Sequence, residues 1–152
     1  MNIEIKDGSI DDILNLSKKI PEFSYSKTRV EYEERLQGVL HLIHIAYVDG
    51  IPAAYKVGYS KEDHFYSWVG AVLPAFRRLG IARLLAEKQE AFVIKNEIQE
   101  IRFKTMNKFK GMLLMGISRG FKIIDLKKGE NVSEYKILLS KKMKGAMSNS
   151  FQ

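Results

Sequence analysis

The chain contains no cysteine and, across 152 residues, only three prolines, three histidines and one tryptophan. Without cysteine there are no disulfides, no thiolate zinc site and no cysteine nucleophile. The histidines, His41, His44 and His64, show no ligand spacing, and no metal is expected. His41 and His44 stand three apart on a predicted strand, so they point to opposite faces. His64 is expected as an exposed turn residue. No run of ~18 apolar residues occurs, so no transmembrane helix and no membrane partner are expected. The opening residues, MNIEIKDGSIDD, lack the apolar stretch of a secretory signal, and the cytoplasm is the expected location. Repeats, low-complexity tracts and Pro/Gly/Ser linkers are missing as well. Only the end, KGAMSNSFQ, reads as frayed.

What is present is a globular composition, 45% hydrophobic and 28% charged. The length fits one domain with a sizeable core. The expectation is a single domain over residues 1–145, with 146–152 as a tail. The net charge of +7 favours an anionic partner or serves only solubility. The basic residues read as scattered, and no basic motif interleaved with aromatics appears, so nucleic acid is not the expected partner.

Periodicity gives the element order β-α-α-β-β-β-α-β-α-β-β. Ser9 and Asp12 cap a first helix, with Ile10, Ile13, Leu14 and Ile20 as its stripe; Thr28 and Glu31 cap a second, with Gly38 past its end. Asp49-Gly50 is a hairpin turn between two strands. A third strand, HFYSWVGAVL, leads to a helix bearing Ile81, Leu84, Leu85 and Phe92 on one side. IQEIRFKTM is a strand. NKFKGMLLMGISRG is a helix with Asn107 as N-cap and Gly120 beyond its end. FKIIDLK and EYKILLSKKM close the chain. The strand–helix–strand crossover implies a locally parallel pair within an otherwise antiparallel sheet.

One stretch carries chemistry. In VLPAFRRLGIARLL a strand meets Arg77, Arg78 and Gly80 just as a helix begins. A helix start offers unpaired N–H groups and a partial positive charge, which suits an anion. Gly80 lets a ligand approach the main chain, Ala82 adds little bulk, and Arg77, Arg78 and Arg83 add charge. The alternative is a turn whose glycine satisfies an awkward backbone angle, with solvated arginines. A P-loop and a dinucleotide fingerprint are both excluded, because their glycine spacings do not occur.

Arg77-Arg78-Leu79-Gly80-Ile81-Ala82 resembles the Gln/Arg-x-x-Gly-x-Gly/Ala motif of the GNAT N-acetyltransferase superfamily. AVLPAFRRLGIARLL is similar to that family's fourth-strand-to-third-helix segment. TMNKFKGMLLMGISRGFKI is similar to its later segment, with an asparagine after the fifth strand and a Gly-Phe opening the sixth. The resemblance implies an α/β (α+β) fold, a mixed, mostly antiparallel central sheet flanked by about four helices, with splayed fourth and fifth strands. It also implies acetyl-CoA as cosubstrate. Main-chain groups of Gly70, Ala71 and Val72 would then pair with the pantetheine arm, with an N–H near Val72 as oxyanion donor. Amides from Arg78 to Arg83, through Leu79, Gly80, Ile81 and Ala82, would hold the diphosphate beside Arg77. Asn107 would bond the arm, and Lys108 or Lys110 would either contact phosphates or belong only to a solvated basic face.

The implied activity is N-acetyl transfer to a primary amine, by direct attack in a ternary complex. Many family members carry a tyrosine acid four residues before the Gly-Phe pair. Here that count reaches Gly116, and counting from Asn107 reaches Leu114, so the usual acid is missing. Glu22, in the loop IPEF, and Tyr66 are the candidate catalytic residues. Tyr66 and Trp68 share a strand face that either meets the acceptor or packs in the core. The acceptor is a small-molecule or peptide amine that no motif identifies. Homodimers are common among similar proteins, and no interface is readable. The competing function is a non-catalytic acyl-CoA-binding or sensing domain of the same fold.

Overall fold

A computed structural model describes residues 1–20 and 27–144. Chain order gives β1 (Ile3–Asp7), α1 (Ile10–Ser17), α2 (Arg29–Leu36), β2 (His41–Val48), β3 (Ile51–Lys61) and β4 (His64–Val72). Then follow a 3-10 turn (Pro74–Phe76), α3 (Ile81–Lys95), β5 (Glu100–Met106), α4 (Lys110–Ser118), β6 (Lys122–Lys127), a second 3-10 turn (Val132–Glu134) and β7 (Lys136–Lys142). The strands hydrogen-bond in the order β1-β2-β3-β4-β5-β7-β6. The pairs β1–β2, β2–β3, β5–β7 and β6–β7 are antiparallel. β4 and β5 are parallel, as the crossover through α3 requires, and their register joins Phe65 to Ile101 and Tyr66 to Arg102. The mixed, mostly antiparallel sheet with helices is the expected fold class.

The chain forms two compact units. The first comprises Met1–Ser60 and Trp68–Ala91. Both of its early helices start on complete capping boxes: Ser9 accepts from the Asp12 amide and Thr28 from the Glu31 amide, while each acid reaches back to its cap. Two orphan donors per helix are thereby satisfied. Asp49 and Gly50 both take positive φ, 49° and 84°, the backbone of a two-residue hairpin turn. Ala46, Val48, Ala53 and Ala54 pack with Ile81 and Leu85 in one core cluster. The small strand residues let α3 lie close, so the beginning of that helix is fixed to the sheet.

The second unit comprises Lys61–Ser67 and Phe92–Gln152. Phe103, Ile137 and Leu139 form its core with Leu113 and Phe121 packed against them, and the Phe103 and Phe121 rings meet edge to face at 5.0 Å. Glu100 is buried on β5 and is held by Arg102 Nε at 2.7 Å, by the Ser140 hydroxyl and by Lys142 Nζ at 3.3 Å. A buried carboxylate needs such partners to remain ionised.

The structure departs from expectation at α4. Asn107 is not its N-cap: the helix starts at Lys110 behind Phe109, with no side-chain cap. The Asn107 amide donates instead to the Val132 carbonyl at 2.9 Å. The neighbouring main chain follows, with Asn107 N bonding Tyr135 O at 3.2 Å and Lys108 N bonding Ser133 O at 2.8 Å. Pairing with the second 3-10 turn uses these groups and delays the helix. His64 is likewise buried, 8% exposed, rather than an exposed turn residue. It is the first residue of β4, and strand geometry turns its ring inward, with Nδ1 3.2 Å from Asp63.

Candidate functional site

The site is built around the start of α3. After β4 the 3-10 turn ends on Arg77, which is extended. Arg78 then takes φ of 66° and Gly80 φ of 80°. A left-handed non-glycine residue costs of order 1–3 kcal/mol and persists only where its surroundings enforce it. Arg77 supplies one constraint, its Nε donating to the Val72 carbonyl at 3.1 Å. Ile81 and Leu85, 1% and 2% exposed, supply another by anchoring the helix start in the core. Gly80 O accepts from Leu84 N at 3.1 Å, so Gly80 occupies the N-cap position. Having no side chain, it contributes no capping oxygen to the amides that follow.

The space beside Gly80 is open. A Cβ built there meets only Arg83 Nη2 within 4 Å, at 3.9 Å. The position is left-handed, exposed and flanked by a guanidinium. Ala82 and Arg83 are exposed on the first helical turn. Arg83 Nη1 lies 3.7 Å from Glu87, a surface pair that holds the guanidinium loosely. The turn thus runs through Arg78, Leu79, Gly80, Ile81, Ala82 and Arg83, with open space beside Gly80 and Arg77 tied to Val72.

A glycine inside a strand marks a bulge or a close approach, and Gly70 has a close neighbour. A Cβ at Gly70 would stand 3.1 Å from the Tyr55 carbonyl oxygen of β3. A regular pleat sends Cβ off the sheet face. Here the direction runs toward the neighbouring main chain, the geometry of a strand irregularity. Ala71 and Val72 are half-buried.

In the second unit, the half-buried Tyr66 carries Lys61 Nζ and Lys104 Nζ at 5.5 and 5.9 Å from its ring centre. Asn107 is held as described, and Lys108 is paired with Glu134 at 3.5 Å. Lys110 is exposed at the first turn of α4. Glu22 lies outside the described residues. The missing tyrosine has a steric reason: a Cβ at Gly116 would stand 2.7 Å from Phe103 Cζ, while Leu114 points outward, 68% exposed. Among the described residues there is no cluster of three or more His, Asp or Glu fit for a metal. Nor is any helix there long and apolar enough to cross a membrane.

One arrangement has no counterpart in the sequence reading. Trp68 packs against Tyr32 of α2 and Tyr59 of β3, with ring centres 5.2 and 5.6 Å away. Arg35 lies 4.8 Å over Trp68 and donates to the Tyr59 hydroxyl at 2.7 Å. Lys27 Nζ sits 5.5 Å from the same indole. Burial first, then the Glu31 charge, pushes the Tyr32 phenol up to about 12, and burial raises Tyr55 as well. Both phenols stay protonated at neutral pH and are no bases. The contacts join residues far apart in sequence, so spacing carries no signal of them.

A family profile described as "Acetyltransferase (GNAT) domain" matches residues 31–110, more than half of the chain and all of the turn at α3. The chain belongs to the GNAT acetyltransferase family. Solved structures agree with the GNAT fold. The ribosomal-protein-S18-alanine N-acetyltransferase from Escherichia coli superposes with a TM-score of 0.82 at 15% identity, covering 99% of this chain and 100% of that one. A GNAT family acetyltransferase from Elizabethkingia anophelis, with acetyl-CoA bound, gives 0.71 at 18%, covering 93% and 98%. The PaiA N-acetyltransferase from Thermoplasma acidophilum, in complex with coenzyme A, gives 0.70 at 17%, covering 93% and 99%. At such identities the likeness is one of fold. A search of curated protein sequences finds no match.

Proposed function

We propose that this GNAT domain is an N-acetyltransferase that takes its acetyl group from acetyl-CoA and passes it to a primary amine by direct attack in a ternary complex. The observation that carries the reading is the opening at the start of α3. The amides of its first turn, left-handed Gly80 and nearby guanidinium suit a diphosphate, and the volume a Cβ would fill is empty. Similar folds hold acetyl-CoA or coenzyme A.

In this reading the amides from Arg78 to Arg83 take the diphosphate, and Arg77 keeps the turn in shape through the Val72 carbonyl. Main-chain groups of Gly70, Ala71 and Val72 align the pantetheine arm, and an N–H near Val72 faces the oxygen that gains charge. Asn107 and Lys110, in the second unit, keep groups to offer. The Asn107 Nδ2 is bonded to Val132, which leaves its Oδ1 to accept from an amide, and the Lys110 ammonium is exposed. The thioester supplies an activated acetyl group. The chain must present the amine neutral, although a free alkylamine has pKa ~10.4. Tyr66 or Glu22 would bind the amine or relay its proton. A thiol of pKa ~8.5 leaves without an obligatory acid, so the glycine at position 116 does not prevent transfer. Peptide N-termini and small amines both fit as acceptors, since one protein of similar fold acts on a ribosomal-protein alanine.

The test is thermal. Acetyl-CoA at 100 times its Kd should stabilise the native state by about 2.7 kcal/mol, a rise of roughly 5–10 °C in Tm. Gly80→Glu should abolish the rise, and Gly80→Ala, which carries the same left-handed strain but is uncharged and small, should keep most of it. An undiminished rise in Gly80→Glu refutes the placement. One observation favours a second reading, a domain that binds acyl-CoA without turnover: the usual acid position is closed by Phe103. Release of free thiol with a panel of amines decides between the two.

A further inference from the structure

The cations are not scattered. Residues 101–144 hold twelve Lys and Arg against three Asp and Glu, a net +9, while residues 1–100 hold thirteen against fifteen, a net −2. The basic stretch also carries exposed apolar side chains: Leu114 at 68%, Ile117 at 51%, Ile123 at 52% and Leu126 at 47%. Among the described residues β6 ends the strand order and pairs with β7 alone, and all six of its residues are exposed. Its outer edge therefore presents main-chain donors and acceptors, except that the Leu126 N–H is already bonded to Asp125 Oδ1 at 2.8 Å.

The register places these features together. Ile123 lies opposite Leu139 and Leu126 opposite Ile137. Leu139 and Ile137 are packed with Leu113 of α4. Directly opposed side chains share a face, so Ile123 and Leu126 stand on the α4 side of the sheet. Lys122 and Lys127 close the two ends of β6, and Lys127 is registered against Lys136 of β7. Like charges directly opposite are unfavourable, and no carboxylate pairs with either lysine among the described residues. An exposed edge, apolar side chains and opposed lysines thus lie together.

We propose that the β6 edge docks an extended acidic segment of another protein, adding a strand whose apolar residues cover Ile123 and Leu126 and whose carboxylates meet Lys122, Lys127 and Lys136. Other occupants fit less well. A second copy would bring +9 against +9. A lipid phase leaves the strand's N–H and C=O groups unsatisfied. Single-stranded nucleic acid binds by stacking on aromatics, and Phe109 is the one aromatic among the exposed large apolar residues of this stretch. The proposal is independent of the transfer reaction.

The experiment titrates the full chain into a fluorescein-labelled synthetic peptide of alternating glutamate and valine. Two comparators are the same peptide interrupted by a central proline and a peptide of alternating lysine and valine. Saturable binding that weakens with salt is expected for the first. The proline peptide, which cannot complete a ladder, should bind at least about tenfold more weakly, and the lysine peptide should not bind. Lys127→Glu, a change at an exposed residue, should weaken the first peptide while leaving the circular dichroism spectrum unchanged. Equal binding of the proline peptide would overturn the proposal, as would no binding of the acidic strand. So would self-association, or capture by phosphatidylserine vesicles, in a protein that ignores the peptide.

Discussion

Gly116 shows how a single position limits the chemistry. Its missing Cβ would stand 2.7 Å from Phe103 Cζ, inside van der Waals contact, so the residue is set by packing. Gly116→Tyr should therefore not restore an acid. It should overpack the Phe103 cluster and cost about 1–3 kcal/mol, read as a lower urea midpoint with no gain in turnover. At this scale the sequence was legible where a feature is local. Gly80 and the arginines around it stand within a few residues of one another, and the left-handed turn they form follows from that short stretch. Gly70 was legible as a close approach, though its partner, the Tyr55 carbonyl, was not, and Gly116 was not legible, because that carbonyl and the Phe103 ring come from other strands.

Elements follow the same division. α1 and α2 begin where Ser9 and Thr28 place them, because a capping box is complete within four residues. Thr28→Ala should cost about 1 kcal/mol, measured as a shifted denaturation midpoint with an unchanged m-value. α4 begins later than Asn107 suggests. An asparagine that caps and an asparagine that bonds a distant turn look the same in sequence. Only the arrival of residues 132–135 beside it decides that its amide goes to Val132. The Arg35–Trp68–Tyr59 cluster has the same origin: α2 supplies the guanidinium, and β3 and β4 supply the rings.

For the whole molecule, one contribution to the pH response comes from a carboxylate that no motif marks. The Arg102 hydrogen bond foremost, with Ser140 and Lys142, depresses Glu100 from 4.5 to about 2 against the opposing pull of burial. Its folded pKa lies below its unfolded one, so its contribution to stability is present above pH 4.5 and is lost as pH falls from there toward about 2. Glu100→Gln should flatten that part of the curve of urea midpoint against pH; an unaltered acid limb would show the group to be unimportant. The charge of the chain behaves likewise. Its total of +7 is a property of composition, whereas the gathering of cations along the β6 edge needs the strand order to be known.

The sequence by itself determined the element order, the caps of α1 and α2, the hairpin at Asp49-Gly50 and the anion-suited turn at Gly80. Each of these rests on interactions between residues near in the chain. The tertiary structure alone decided which strands became the edges, what crowds positions 70 and 116, where the Asn107 amide is spent and which groups hold Glu100 ionised. Those outcomes depend on segments that meet only after folding, when sterics and desolvation act between residues that sequence spacing does not connect.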